Sequence, residues 1–321
     1  MPTDSTNISR LFFQTIAQLF QKASKTSLDL FKITIPISIV TRILNELGLT
    51  EYLGFLLSPV MEVVGLPGSM GLVWATTMVI NMYAGMVVFV SLATEAHLTV
   101  AQVTVLTTMM LVAHSLPVEL RIAQKSGPRL RVMLTLRIVG ALAVGFILHK
   151  IYTWGGYLQT ESIAIWSQTG DHLGWMAWAF REVRNLFSIF LIILALLTLM
   201  KALAFLKITD LLTFLLKPVL SLLGMSKAAA PITIIGMTMG LAYGGGLIIQ
   251  EAQSGRMAKR DIFFSLAFMG LFHSAIEDTL LMVLLGGHTS GIIWGRLAFA
   301  FVTIFLMVQV FNRISEKTFN R

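Results

Sequence analysis

Long apolar runs broken by short polar or glycine-bearing stretches fill nearly the whole chain, and they fall into two matching sets. The first set covers 28–47, 51–65, 71–92, 101–123 and 132–151. The second covers 186–206, 210–224, 230–250, 262–285 and 292–310. The longer runs are near or within the roughly 17–25 residues a spanning helix needs. They are built from Leu, Ile, Ala, Val and Met without alternation of period two, which predicts helices rather than a barrel. The second run of each set is only about 15 residues, or ~22 Å of helix, and carries a proline, Pro59 or Pro218. Length alone leaves it a tilted span, a re-entrant hairpin or an interfacial helix. Ahead of the first set, 8–25 reads as an amphipathic helix. Leu11, Phe12, Ile16, Leu19 and Phe20 share one face, and Gln14, Gln18, Gln21 and Lys25 the other. Such a helix lies in the membrane interface or packs on the bundle as its first helix.

The two sets are related by one gap-free offset. His114-Ser115 and His273-Ser274 lie 159 positions apart. The same offset pairs Thr50 with Thr209, Glu51 with Asp210, Phe55 with Phe214, Pro59 with Pro218, Gly65 with Gly224, Gly85 with Gly244 and Arg137 with Arg296. The expected fold is therefore an all-α polytopic membrane protein of two repeats, each with about five membrane segments. The expected organisation is an amphipathic segment at 1–27, repeat 1 at 28–152, an external linker at 153–182, repeat 2 at 183–312 and a cytoplasmic tail at 313–321.

Composition agrees with the pattern. The chain is 321 residues, 56% hydrophobic and 12% charged, with mean hydropathy +0.80; soluble domains carry roughly 25% charged residues. Its net charge of +8 would suggest nucleic acid in a soluble chain. Here the basic residues gather in short loops and at the ends, where membrane orientation places them, so the lipid bilayer is the expected partner and nucleic acid is not. The chain has no cysteine, which excludes disulfides and thiolate metal sites.

Charge also orients the halves. In the first, loop 94–99 is acidic to neutral and loop 121–131 carries Arg121, Lys125, Arg129 and Arg131. In the second the signs swap: loop 254–261 carries Arg256, Lys259 and Arg260, and loop 286–291 carries no Lys or Arg. Basic loops stay inside, so the repeats are expected to be inverted. That requires an odd number of segments per half and puts both termini in the cytoplasm. Arg181 and Arg184 sit awkwardly beside an external linker.

The fourth run of each half concentrates the chemistry, as AHSLPVEL at 113–120 and FHSAIEDTL at 272–280. Charged residues inside spans face a bundle interior or cavity and have partners. Matching depth on antiparallel neighbours predicts ion pairs Glu119–Arg137 and Asp278–Arg296, either as brackets that fix helix rotation or as substrate contacts. His114 and His273 sit one turn deeper. Imidazole suits proton exchange near neutral pH and metal ligation, though a hydrogen-bonded packing histidine is the plain alternative. Pro117 frees backbone carbonyls after His114. Glu277 has Val118 as its counterpart and no evident arginine partner, which makes it the leading candidate for a substrate- or proton-carrying carboxylate.

The third runs add weak helix. Gly240, Gly244, Gly245 and Gly246 in one half face Asn81, Tyr83 and Gly85 in the other, for close packing or for broken helices. The candidate substrate-binding set is therefore His114, Ser115, Glu119, His273, Ser274, Glu277, Asp278, Asn81 and Tyr243, with Arg137 and Arg296 as ion-pair support. His114, His273 and Glu277 are the candidate metal ligands. Arg42 and Lys201 are repeat-matched cations suited to snorkelling. There is no phosphate loop, no HExxH and no recognisable nucleophile elbow, so no enzyme is expected.

With these features the chain resembles the Gate, or nucleoside-recognition, domain proteins. The resemblance rests on the duplicated five-run unit, the LLxPV segments at 56–60 and 215–219, the glycine-rich third run and the HS…E/D fourth run, and covers roughly 28–310 in two copies. That group is similar to membrane parts of concentrative nucleoside transporters, to the gate region of the bacterial ferrous-iron permease and to sporulation membrane proteins. The chain departs from the nucleoside carriers in lacking their asparagine-and-glutamate signature, and from the iron permease in lacking its GTPase domain and gate cysteines.

The resemblance and the residues together imply a secondary, ion- or proton-coupled transporter of the bacterial inner membrane. Its solute would be small and polar, a nucleoside for example, or a divalent metal ion as substrate, with no cofactor. A non-transporting scaffold acting with a partner is the alternative, and a homo-oligomer is compatible with either.

Overall fold

A computed structural model describes residues 4–162, 174–206, 229–255 and 257–319, with isolated positions between 211 and 226. Every regular element among the described residues is a helix, apart from one isolated bridge between Thr99 and Glu161. The order is α1 (Asp4–Glu46), α2 (Leu49–Val63), α3 (Met70–Val79), α4 (Met82–Ala96), α5 (Val100–Val112), α6 (Leu116–Lys125), α7 (Leu130–Gly155) and α8 (Trp175–Phe205). Then come α9 (Ala229–Met239), α10 (Leu241–Ser254), α11 (Lys259–Leu271), α12 (Glu277–Leu284), a π-helix (Ser290–Gly295) and α13 (Arg296–Phe319). The short proline-bearing run at 210–224 falls mostly outside the described residues.

Four stretches among the described residues are long and apolar enough to cross a membrane: Val100–Lys125, Leu130–Gly155, Trp175–Leu203 and Ser290–Arg313. The first is the central one. Of its apolar window 78% is buried, against 18–39% for the other three. Large apolar side chains stand exposed along the outer helices, Phe55, Trp154, Phe180 and Trp294 among them. A monomer in water rarely exposes so many large apolar side chains, and in lipid they cost nothing. This is a membrane protein with several apolar helices.

The chain divides into two compact units, 1–40 with 169–209 and 41–168 with 210–321. In the smaller unit α1 runs without a break through Pro36, so the interfacial segment 8–25 and the first span 28–47 are one helix rather than two. The amphipathic stretch and the apolar one read as separate elements in the sequence, but a change of pattern along a helix does not interrupt its backbone hydrogen bonds. Phe20 meets Phe190 of α8 edge to face, with ring centroids 5.6 Å apart.

The larger unit holds the site. Its core helices α5 and α11 are apolar on all sides and almost wholly buried, as a helix surrounded by other helices must be. Helix α7 packs on α5, α6 and α11, α13 packs on α11, and α12 packs on α5. The third and fourth runs of both halves are broken helices. The breaks fall at Ile80–Asn81, at 113–115, at Gly240 and at 272–276.

Candidate functional site

Each broken fourth run turns on its His-Ser pair. Ser115 and Ser274 both adopt left-handed backbone, φ 47° and 46°, a region that costs an L-residue roughly 1–2 kcal/mol. The break leaves carbonyls at the end of one half-helix and amides at the start of the next without helical partners, and no water is at hand within a membrane to take them. The sequence supplies both kinds of partner. Arg137 Nε donates to Val112 O (2.7 Å) and Nη2 to His114 O (3.2 Å). Arg296 does the same 159 positions on, to Leu271 O (2.9 Å) and His273 O (2.7 Å). A cation at a helix C-terminus also complements the helix dipole. At the following N-termini stand carboxylates, Glu119 in the first turn of α6 and Glu277 and Asp278 in that of α12.

The breaks are braced by the third runs. Ser115 N donates to Thr77 O (3.0 Å) and Ala275 N to Met237 O (2.8 Å). Gly240 has φ +88°, and a Cβ there would stand 2.5 Å from Ser274 Oγ, so this crossing requires glycine. Asn81, a candidate solute contact, caps α4 by accepting from Ala84 N at 2.9 Å. The backbone of Tyr243 lies in α10, and its side chain lies outside the described residues.

His114 and His273 meet at the centre. Their Nε2 atoms are 3.0 Å apart. Each Nδ1 faces the carbonyl four residues earlier on its own helix, Met110 O at 3.0 Å and Met269 O at 2.6 Å. A carbonyl only accepts, so each Nδ1 carries the proton and each Nε2 turns inward. Glu119 completes a triangle: its Oε1 is 3.2 Å from His114 Nε2 and 3.3 Å from His273 Nε2. Its other oxygen accepts from Arg137 Nη1. All three side chains are buried, with residue exposures of 5%, 1% and 9% for His114, His273 and Glu119.

The expected pair Glu119–Arg137 is therefore present. Asp278 and Arg296 form no ion pair: Asp278 Oδ2 points toward His114 Nε2 at 3.8 Å, and Arg296 Nη1 is buried without a hydrogen-bond partner. The aspartate is one methylene shorter than the glutamate and turns to the imidazole instead. Arg296 instead lies over the Phe272 ring, 4.9 Å from its centroid. Three groups offer donor atoms close enough together for one metal ion, namely His114, Glu119 and His273. Glu119 thus stands where the sequence pointed to Glu277. Glu277 is half-buried beside Asp278, and Tyr83 of α4 lies within its hydrogen-bonding reach. Tyr83, noted with Asn81 and Gly85 in the third run, is not in the candidate set, although its offset partner Ala242 makes it no less duplicated than Asn81 or Tyr243. Of the other cations, Arg42 pairs with Glu46 at 2.7 Å.

No solved structure matches the chain. The Gate family, described as nucleoside recognition, matches residues 27–129, the stretch that ends just past α6. The uncharacterized membrane protein YvoD of Bacillus subtilis (strain 168) is 30% identical over 285 residues, 87% of this chain and 88% of that protein. This chain thus belongs to the Gate, or nucleoside-recognition, family of membrane proteins.

Proposed function

We propose that the protein is a secondary transporter of the bacterial inner membrane, coupled to protons or another ion, that carries a small polar solute or a divalent metal ion. The observation that carries this reading is the buried His114–His273–Glu119 triangle, assembled from two broken helices at the same offset in the chain. A folded protein does not bury three such groups together at membrane depth without a use for them. Broken helices around a midplane site are how many transporters expose solute-binding backbone. Family membership and the exposed apolar outer surface support a role in membrane transport.

In this reading the two halves are inverted repeats, the central site lies between them, and both termini are cytoplasmic. The swapped loop charges support that orientation. Catalysis has no part in it. The family's description favours one more specific solute class, nucleosides.

The test is reconstitution into proteoliposomes with imposed proton or sodium gradients, offering divalent metal ions and nucleosides in turn. Gradient-driven accumulation of one solute, abolished by His114→Ala and by His273→Ala, is the expected result. If nothing accumulates under any gradient, the protein does not transport these solutes and the scaffold role takes over.

A further inference from the structure

We propose that the central site binds one divalent transition-metal ion of the zinc class, ligated by His114 Nε2, His273 Nε2 and Glu119 Oε1. Its role as cargo rests on the transport reading above; its binding does not.

The three donor atoms stand 3.0, 3.2 and 3.3 Å from one another. Around a tetrahedral zinc ion with bonds of about 2.0–2.1 Å, neighbouring ligand atoms are about 3.3 Å apart. The triangle therefore needs adjustments of only tenths of an ångström to close on a metal. The two imidazoles are already in the required tautomer, because Met110 O and Met269 O occupy both Nδ1 protons. A histidine that donates from one nitrogen to a fixed acceptor and ligates with the other is the usual second-shell arrangement at metal sites. Arg137 holds the far oxygen of Glu119 and so fixes the orientation of the near one.

Three lone-pair-bearing atoms so close together in a dry interior repel unless a cation stands among them, a metal ion or a proton on one imidazole. The local charge favours a cation as well, since three carboxylates, Glu119, Glu277 and Asp278, gather against two guanidinium groups, Arg137 and Arg296.

The donor set selects among metals. Calcium takes 6–8 oxygen ligands and magnesium an octahedron rich in water and oxygen, and two imidazole nitrogens suit neither. Imidazole with one carboxylate suits zinc and its first-row neighbours. With no cysteine in the chain, no thiolate can lock the ion in place. Asp278, 3.8 Å from His114 Nε2, flanks the fourth position.

Detergent-purified protein stripped with chelator and titrated with cobalt(II) chloride tests this. The expected result is one Co2+ per chain with the intense visible absorption of a tetrahedral complex, displaced by Zn2+ and untouched by Mg2+ or Ca2+. Glu119→Gln and His273→Ala should each weaken binding by at least about tenfold, the lower end of what loss of even a second-shell partner costs. Glu277→Gln, which removes a nearby charge but no ligand atom, should weaken binding less than either. His114→Gln serves as a further ligand variant, and thermal unfolding of each protein separates loss of a ligand from loss of fold. Absence of a tetrahedral spectrum in the wild type overturns the site, as does a spectrum that survives removal of both histidines. Cobalt binding without metal flux in proteoliposomes would uphold this site and remove the transport reading. Gradient-driven nucleoside flux by a protein that binds no cobalt would do the opposite.

Discussion

The breaks at 113–119 and 272–278 use the same plan with unequal success. Both turn on a left-handed serine, both tie an imidazole to its own helix, and both cap the preceding half-helix with an arginine from the next long helix. In the first break Glu119 reaches Arg137 with one oxygen and the imidazoles with the other. In the second, Asp278 reaches neither its arginine nor a close imidazole contact, and Arg296 keeps an unpartnered Nη1. Arg137 also sits in a regular helix, whereas Arg296 directly follows a π-helix, a local widening common at functional sites. The first bracket is thus saturated and the second is not, and the second carries the shorter carboxylate. The first half satisfies its arginine at the bracket, and the second leaves a donor of its arginine unpartnered.

The largest effect should come from removing the saturated bracket. Arg137→Met leaves Glu119 buried and unpaired and should cost about 3–5 kcal/mol, read as a drop in thermal unfolding temperature in detergent. The same change at Arg296 should cost clearly less. Equal losses at the two sites would erase the distinction between the halves.

Gly240→Ala comes next. It forces a Cβ against Ser274 Oγ at φ +88° and should cost about 1–3 kcal/mol in the same assay, whereas Asn81→Ala removes only a helix cap, worth about 1 kcal/mol.

The second half can also be repaired. Asp278→Glu supplies the missing methylene and should raise stability by about 1 kcal/mol, within the roughly 1–3 kcal/mol that an orphaned buried donor costs. Chemical denaturation would register the gain. A loss would mean that Asp278 is held toward His114 for a reason other than length.

The smallest effect is expected at Pro117. The second half makes its break with Ile276 at the equivalent position, so Pro117→Ala should change stability by less than about 1 kcal/mol. A large loss would show that the two breaks have different causes.

The sequence made much of this legible because duplication writes the important residues twice. The histidines, serines and arginines stood out by their shared offset, and helix depth correctly paired Glu119 with Arg137. What stayed hidden depended on direction rather than position. Which carboxylate faces the imidazoles is a matter of side-chain direction, and nothing in residue type announces that, nor a positive φ on serine. Depth alone could not say that Asp278 would turn toward His114 and away from an ion pair with Arg296. The carbonyls of Met110 and Met269 were invisible for a related reason, since a backbone atom leaves no mark in the residue types of a repeat. In α1 the apolar pattern suggested two elements where the backbone makes one, because a helix tolerates polar residues on an exposed face without ending.

The tether from each Nδ1 to a carbonyl four residues back makes each ring part of its own helix. The rings cannot reach toward each other independently, so their 3.0 Å contact works as a vernier between α5 and α11. A slide of one helix by a single residue is about 1.5 Å, half the length of that contact and enough to part the nitrogens. The site therefore exists in one register of these two helices and vanishes in the next. A ligand seated between the imidazoles would add to the packing that holds that register, and a shift of register would release it.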